Sequence, residues 1–319
     1  MSPLPDLFPG FAERRFTVDG AEIYARIGGS GPALLLLHGY PQTHVCWHRI
    51  APELARHFSL VIPDLRGYGA SSGPQTGPQT GPQTAGQTTD ATDAGHKAYS
   101  KRAMAQDFAS VMEALGHGRF AVVSHDRGAR AGYRLALDHA TRVERLVTLD
   151  IVTTHDAWSD MTKENAIGRF HWAFLARPAP FPETMIGANP VYFLDYLLAQ
   201  WTAAKDLSAF DPGALAHYRE AFSRPEVIHA SCEDYRAGAS FDPELDARDK
   251  AAGKRIAMPM LALWGAQRKN GFVNKPLETW RSWCPHVRGE PIESGHFLAE
   301  EAPAATLAAL MPFLLEGPR

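Results

Sequence analysis

The sequence lacks the features that mark several classes of protein. Its 319 residues include only three cysteines, and their odd number and wide spacing exclude a disulfide framework and a cysteine-ligated metal site. The formal net charge of −3 is too small to indicate nucleic acid or an anionic membrane as a partner. The chain also lacks the basic start and apolar core of a signal peptide, and no apolar run approaches membrane-spanning length. We therefore expect a soluble, cytoplasmic protein without a metal.

The chain does contain short apolar runs that alternate with amphipathic segments. With 45% apolar residues, it is long enough to bury a full core. The alternation predicts an α/β fold, in which helices cover both faces of a mostly parallel sheet. The predicted helices lie at residues 48–56, 101–115, 128–139 and 302–315. The predicted strands lie at residues 15–18, 22–27, 33–37, 59–62, 119–123, 145–149, 260–264 and 286–291.

Between residues 149 and 258 the alternation stops. Helical patterns at 163–175, 190–202 and 212–222 are separated by prolines, and the sheet pattern resumes near residue 260. This arrangement predicts a helical cap inserted after one strand, with a pocket between the cap and the sheet. We expect a core over residues 1–154, a cap over 155–250 and the remainder of the core over 251–319.

A tandem repeat of Gly-Pro-Gln-Thr begins at Gly73, with further copies at Gly77 and Gly81. Its four-residue period excludes a collagen helix, and its polar composition cannot bury enough surface to fold alone. We therefore predict a surface loop over residues 73–95.

The candidate nucleophile is Asp126. An apolar run at 120–123 leads directly into Ser-His-Asp-Arg-Gly at 124–128, and a helical pattern follows. Small residues around the central side chain are typical of a nucleophile elbow, the tight turn that lifts that side chain clear of a sheet. An acyl-transfer hydrolase has Ser at this point. A carboxylate instead attacks tetrahedral carbon and forms an ester that water can hydrolyse, so the motif predicts displacement at an alkyl carbon.

Hydrolysis of that ester requires a base, a carboxylate that orients the base, and donors for the developing oxyanion. His296 is the candidate base, because it follows the last predicted strand in a Ser-Gly-His-Phe loop that can approach the elbow. The loop after 260–264 has no acidic residue, so the candidate orienting carboxylate is Asp150, which would also suit a helix cap. The backbone amides of Tyr40 and Arg127 are the candidate oxyanion hole.

Two arginines are candidate substrate ligands. Arg127 follows the nucleophile directly, and Arg130 lies one helical turn further on, so both can face the pocket. Two guanidinium groups would bind a small carboxylate substrate and hold its adjacent carbon in line with Asp126. Both arginines would also be compatible with an exposed helix surface.

These motifs resemble the fluoroacetate dehalogenases of the α/β-hydrolase superfamily, over nearly the whole chain. The resemblance implies an α/β-hydrolase fold with a mostly parallel, eight-stranded sheet and an inserted helical cap. It implies hydrolysis of a small 2-haloacid, such as fluoroacetate to glycolate and fluoride, without a cofactor, by a homodimer. The motifs that carry it are Ser-His-Asp-Arg-Gly-Ala-Arg at 124–130, Leu-Asp-Ile-Val at 149–152, His-Trp at 171–172 and Asp-Tyr-Arg-Ala-Gly at 234–238.

The same resemblance assigns residues to the leaving group. It implies that His171, Trp172 and Tyr235 donate hydrogen bonds to the departing halide, and that Trp201 lines the same pocket. Taken without the resemblance, the His-Trp pair and Tyr235 are more typical of core packing. The Gly-Pro-Gln-Thr repeat and the basic stretch at 267–270 depart from the family pattern.

Alternative functions with the same nucleophile remain. A haloalkane dehalogenase would have Trp after the Asp, where this chain has Arg127. An epoxide hydrolase would use paired cap tyrosines as acids, for which Tyr235 with Tyr196 or Tyr218 are candidates. The paired arginines argue against both, since neutral substrates need no anion clamp. A non-catalytic binding protein would lack a member of the triad, and none is missing.

Overall fold

The computed structural model describes residues 4–74, 96–267 and 275–316. The predicted loop at 73–95 and the basic stretch at 267–270 therefore lie almost wholly outside the described residues. The strands of the described part are β1 (Ala12–Val18), β2 (Ala21–Gly28), β3 (Ala33–Leu37), β4 (Ser59–Pro63), β5 (Phe120–His125), β6 (Val143–Leu149), β7 (Met260–Gly265) and β8 (Val287–Ile292).

Within the described residues these strands form one eight-stranded sheet in the order β1-β2-β4-β3-β5-β6-β7-β8. The pairs β1–β2 and β2–β4 are antiparallel, and every other neighbouring pair is parallel. Strands β3 and β5 are buried along their whole length, as expected of parallel strands that helices cover on both faces. The predicted α/β class and the mostly parallel sheet are confirmed.

Helices cover the sheet, and those of residues 154–251 follow one another between β6 and β7. Among the described residues, no helix is both long enough and apolar enough to cross a membrane. The helices are α1 (Ala51–Leu54), α2 (Lys101–Ala114), α3 (Asp126–Asp138), α4 (Thr154–Ser159), α5 (Lys163–Gly168), α6 (Phe170–Leu175), α7 (Phe181–Gly187), α8 (Pro190–Trp201), α9 (Pro212–Phe222), α10 (Pro225–Ala239), α11 (Phe241–Ala251), α12 (Pro276–Arg281), α13 (Leu298–Glu301) and α14 (Pro303–Leu315).

The helical segment between β6 and β7 is richer in helices than the sequence pattern indicated. The single helix predicted at 163–175 is divided into α5 and α6, which meet at Arg169. Pro182 and Pro225, interpreted as breaks between helices, lie in the first turns of α7 and α10. A proline is tolerated there because the first N–H groups of a helix have no acceptor within it. The division into separate core and cap domains stays a prediction.

A buried polar cluster joins this helical segment to the sheet. Gln42 follows β3, Glu300 lies in α13 and Tyr218 lies in α9. The Tyr218 hydroxyl donates to Glu300 Oε1 at 3.0 Å, and Gln42 Nε2 donates to Oε2. Burial of the Glu300 carboxyl outweighs these hydrogen bonds and raises its pKa to about 8. The folded protein therefore holds a proton on Glu300 at neutral pH.

This cluster makes the stability of the fold depend on pH. The folded pKa of Glu300 is raised, so between its unfolded value and about 8 the folded state binds a proton that the unfolded chain releases. That contribution to stability is full at low pH and is lost as pH rises through this window. Because Gln stays neutral, the free energy of unfolding of Glu300→Gln should rise relative to that of the wild type by about 4 kcal/mol between about pH 5 and about pH 9.

Urea unfolding at the two pH values measures this difference. Glu290→Gln is the matched control, because Glu290 is exposed in β8 and its replacement should leave the pH dependence of the wild type unchanged. Parallel stability profiles for Glu300→Gln and the wild type would contradict the assignment of a protonated Glu300.

Candidate active site

The chain turns tightly at Asp126, between β5 and α3. Asp126 has a φ of +44°, in the left-handed region that a non-glycine residue adopts mainly at special sites. Two glycines allow the approach of neighbouring backbone. A Cβ on Gly128 would lie 2.0 Å from the carbonyl oxygen of His38, and one on Gly39 would lie 2.4 Å from the Asp126 Cβ. Side chains at these two positions are therefore incompatible with the turn.

The structure brings the three residues of the predicted triad together. His296 Nδ1 lies 2.5 Å from Asp150 Oδ2, and His296 Nε2 lies 3.7 Å from Asp126 Oδ2. The second distance is longer than a hydrogen bond and places the imidazole within one water molecule of the Asp126 carboxyl. Asp150 is fixed in turn by the backbone amide of Gly265, which donates to its Oδ1 at 3.1 Å.

The surroundings of Asp126 favour its ionised form. Burial of the carboxyl acts to raise its pKa, but the electrostatic interactions with His296 and, less strongly, with His125 oppose this effect. Arg130 and Arg127 act in the same direction, and the net result is a lowered pKa. The backbone amide of Tyr40 donates to Asp126 Oδ1 at 3.0 Å, so one of the two amides predicted for the oxyanion hole lies against this carboxyl. A carboxylate in this state is a competent nucleophile.

Arg127 is buried and already engaged by a carboxylate. Its Nε donates to Asp234 Oδ2 at 2.9 Å, and its Nη2 donates to Asp234 Oδ1 at 2.5 Å and to the Asp234 carbonyl oxygen at 2.7 Å. These contacts use three of the five guanidinium protons. Arg127 therefore offers a substrate at most the two protons of Nη1, so the two arginines are not an equivalent pair as the sequence had indicated.

Arg130 lies directly against the cavity at Asp126. Its Nη1 donates to Thr154 Oγ1 at 3.0 Å, and its guanidinium carbon lies 4.7 Å from the centre of the Trp172 ring. Burial lowers the pKa of Arg130 from its usual value, in keeping with a cation that has, within the described residues, no buried carboxylate pair of the Arg127 kind. The active-site cavity has an atom-free space of about 270 Å³ and is lined by Asp126, Arg130, Asp150, Ile151, Val152, Ala157, Arg169, Trp172 and His296.

The residues predicted to bind halide fall into two groups. Trp172 lines the active-site cavity, whereas the rings of His171 and Tyr235 pack together at 5.6 Å between centres. Trp201 belongs to the second group, at 4.6 Å from His171 and 5.6 Å from His296. The Tyr40 ring contacts all three members of this group. Tyr40 therefore links the aromatic group to Asp126, because its backbone amide donates to the Asp126 carboxyl.

Sequence reasoning missed the role of Asp234 and of Arg169. Asp234 is fully buried, and besides Arg127 it accepts hydrogen bonds from Lys101 Nζ and, at 2.8 Å, from the Tyr68 hydroxyl. Buried arginines are commonly paired with a carboxylate, and the acid of the Asp-Tyr-Arg-Ala-Gly motif was the available signal. Arg169 lines the cavity with Trp172, but no motif marked it.

Comparison with known proteins places the chain among hydrolases. A family model described as the alpha/beta hydrolase fold matches residues 32–303. The chain is 40% identical over 314 residues to a fluoroacetate dehalogenase from Burkholderia sp, covering 98% of this chain and 96% of the relative. It is 27% identical over 298 residues to a soluble epoxide hydrolase from Corynebacterium sp. (strain C12), covering 93% and 94%. A solved structure from Nostoc sp PCC 7120, described as an alpha/beta hydrolase, shares 47% identity with a TM-score of 0.87, covering 96% and 99%.

The Asp234 ion pairs should be essential to the stability of the fold. Asp234→Asn leaves two buried cations, Arg127 and Lys101, without their carboxylate and should lower the free energy of unfolding by about 3–5 kcal/mol. Asp195→Asn is the matched control, since Asp195 also binds an arginine through both oxygens, Arg219, but in a partly exposed pair. It should cost less than about 1 kcal/mol. If denaturant unfolding showed equal losses of free energy of unfolding for Asp234→Asn and Asp195→Asn, the buried ion pairs of Asp234 would contribute no more to stability than the partly exposed pair.

Proposed function

The chain belongs to the α/β-hydrolase superfamily and, within it, to the family of the fluoroacetate dehalogenases, and from this premise we propose that it hydrolyses haloacetates to glycolate and halide. The observation that carries the proposal is a carboxylate nucleophile and a buried arginine in one cavity. Asp126 and Arg130 both line the active-site cavity, and the His296–Asp150 pair completes it. This combination suits an anionic substrate with a leaving group on its α-carbon.

Substrate binding is assigned to the two arginines. The carboxylate of a haloacetate would accept hydrogen bonds from Arg130 and from Nη1 of Arg127, the group that Asp234 leaves available. Because Arg127 is adjacent to Asp126 in the chain and Arg130 is one turn further along α3, the bound α-carbon would lie close to the Asp126 carboxylate. Neutralisation of the substrate charge would also lower the repulsion between two anions in a dry cavity.

Displacement of the halide is the first chemical step. An oxygen of Asp126 attacks the α-carbon, the carbon–halogen bond breaks, and the halide leaves with the electron pair. Fluoride is a poor leaving group that water hydrates strongly, so hydrogen-bond donors must replace that water. We assign this task to Trp172, which lines the cavity, and to His171 and Tyr235, which pack beside Tyr40.

Hydrolysis of the ester is the second step. His296 would remove a proton from a water molecule that attacks the carbonyl carbon of the Asp126 ester, and Asp150 would stabilise the resulting imidazolium. The Tyr40 amide, 3.0 Å from Asp126 Oδ1, would stabilise the developing oxyanion together with the Arg127 amide. The attack forms a tetrahedral intermediate, and its collapse breaks the ester bond, releases glycolate and restores the Asp126 carboxylate. No step requires a cofactor.

Epoxide hydrolysis is the alternative that the Corynebacterium relative raises, but the tyrosines do not favour it. Tyr196 is 44% exposed, and the Tyr218 hydroxyl donates to Glu300, so neither is available to assist Tyr235 in the manner proposed from the sequence. Haloalkane hydrolysis would leave the charge of Arg130 without a substrate partner. The homodimer and the cytoplasmic location stay predictions.

Incubation of the purified protein with fluoroacetate tests this function. Fluoride and glycolate should appear in equal amounts, and Asp126→Asn should lower both rates by at least about a thousandfold because the nucleophile is removed. Asp195→Asn, an acid far along the chain in α8, is the control and should retain activity. Hydrolysis of styrene oxide with no release of fluoride or chloride from haloacetates would overturn the proposal in favour of an epoxide hydrolase.

A further inference from the structure

We propose that Arg169 is a specificity-determining residue that admits anionic substrates to the active-site cavity through a second cavity outside it. The proposal rests on the proposed function in one respect, namely that the substrate is a small carboxylate. It concerns the route of entry, which none of the catalytic steps above involves.

A second cavity adjoins the active-site cavity. This outer cavity has an atom-free space of about 560 Å³ and is lined by Val152, Asp156, Ala157, Ser159, Asp160, Arg169 and Thr279. Three of these residues, Val152, Ala157 and Arg169, also line the active-site cavity. The boundary between the two cavities is therefore formed by a valine, an alanine and one arginine. Of the three, Arg169 has the side chain that can bind an anion.

The Arg169 side chain is held at this boundary. Arg169 joins α5 to α6 and is 3% exposed, and its Nη1 donates to the carbonyl oxygen of Ala157 at 2.8 Å. Its guanidinium carbon lies 5.3 Å from the centre of the Trp172 ring, and that of Arg130 lies 4.7 Å from the same ring. An anion that passes Arg169 therefore meets Trp172 and then the cation assigned to the substrate carboxylate.

The other charges of the outer cavity are negative. Asp160 is exposed, and Asp156 is bound by Lys250 Nζ and, at 2.6 Å, by Trp283 Nε1. Asp156 is compensated by Lys250, so the exposed carboxylate of Asp160 is the group that repels a carboxylate substrate, and the charge of Arg169 opposes that repulsion. A neutral compound of the same size is indifferent to both. The arrangement therefore selects by charge at the point of entry, before the substrate reaches Asp126.

The test measures association without turnover. In the Asp126→Asn background, binding of fluoroacetate is followed by stopped-flow tryptophan fluorescence, with Trp172 and Trp201 as the nearby reporters. Fluoroacetamide, which is neutral and of similar size, is the comparison ligand. Arg169→Gln should lower the association rate constant of fluoroacetate about tenfold at low ionic strength, and Asp160→Asn should raise it a few-fold. High salt should diminish both effects, and fluoroacetamide should respond to neither substitution.

Two further variants control for packing and fold. Arg169→Lys keeps the charge and should retain most of the wild-type association rate. Arg177→Gln removes an exposed arginine from the same helical segment and should have no effect. Equal slowing of fluoroacetate and fluoroacetamide by Arg169→Gln, or an unchanged fluoroacetate rate, would overturn the proposal. If these charge effects appear but the wild type releases no fluoride, only the proposed function fails.

Discussion

Positive charge buried beside Asp126 is the feature on which the rest of the site depends. The proposed nucleophile and the proposed substrate are both anions, and their repulsion in a closed cavity is far stronger than in water. Arg127 and Arg130, at 1% and 3% exposure, supply the opposing charge. Such cations are costly to bury, and the two arginines differ in the partners that offset this cost. Arg127 is compensated by Asp234, whereas Arg130 contacts a hydroxyl and an aromatic ring. Arg130, the less compensated of the two, is therefore the better candidate for binding the proposed substrate.

The sheet explains how residues so distant in the sequence meet. Tyr40, Asp126, Asp150 and His296 follow strands β3, β5, β6 and β8, and neighbouring strands in this part of the sheet are parallel. The carboxyl ends of parallel strands lie at one edge, where ligands bind in open α/β sheets. The helices between β6 and β7 then supply Trp172 and Arg169 to the same cavity. The components are contributed by segments that follow different strands, so the chemistry can vary while the sheet is unchanged.

Local sequence patterns were sufficient for the sheet and for the residues at its edge. All eight predicted strands lie within three residues of strands in the described part, and the apolar runs of β3 to β7, which pair in parallel within the sheet, are the most distinctive of these signals. The helical segment was harder, since prolines at helix starts resemble breaks and a bend at Arg169 leaves no clear signal. The Arg127–Asp234 pair joins residues that are 107 positions apart, and no periodicity reports such a contact. The contribution proposed for Arg169 depends on the shape of two cavities, which a local sequence pattern does not report.

The proposed mechanism depends on the formation of a covalent ester between Asp126 and the substrate. A single turnover of fluoroacetate in water labelled with heavy oxygen, with enzyme in excess, tests it most directly when the peptide that contains Asp126 and the released glycolate are both weighed by mass spectrometry. We expect one heavy oxygen atom in the Asp126 carboxylate and none in the new hydroxyl group of glycolate. Heavy oxygen in that hydroxyl, with none in the protein, would contradict it, because water would then have attacked the α-carbon itself.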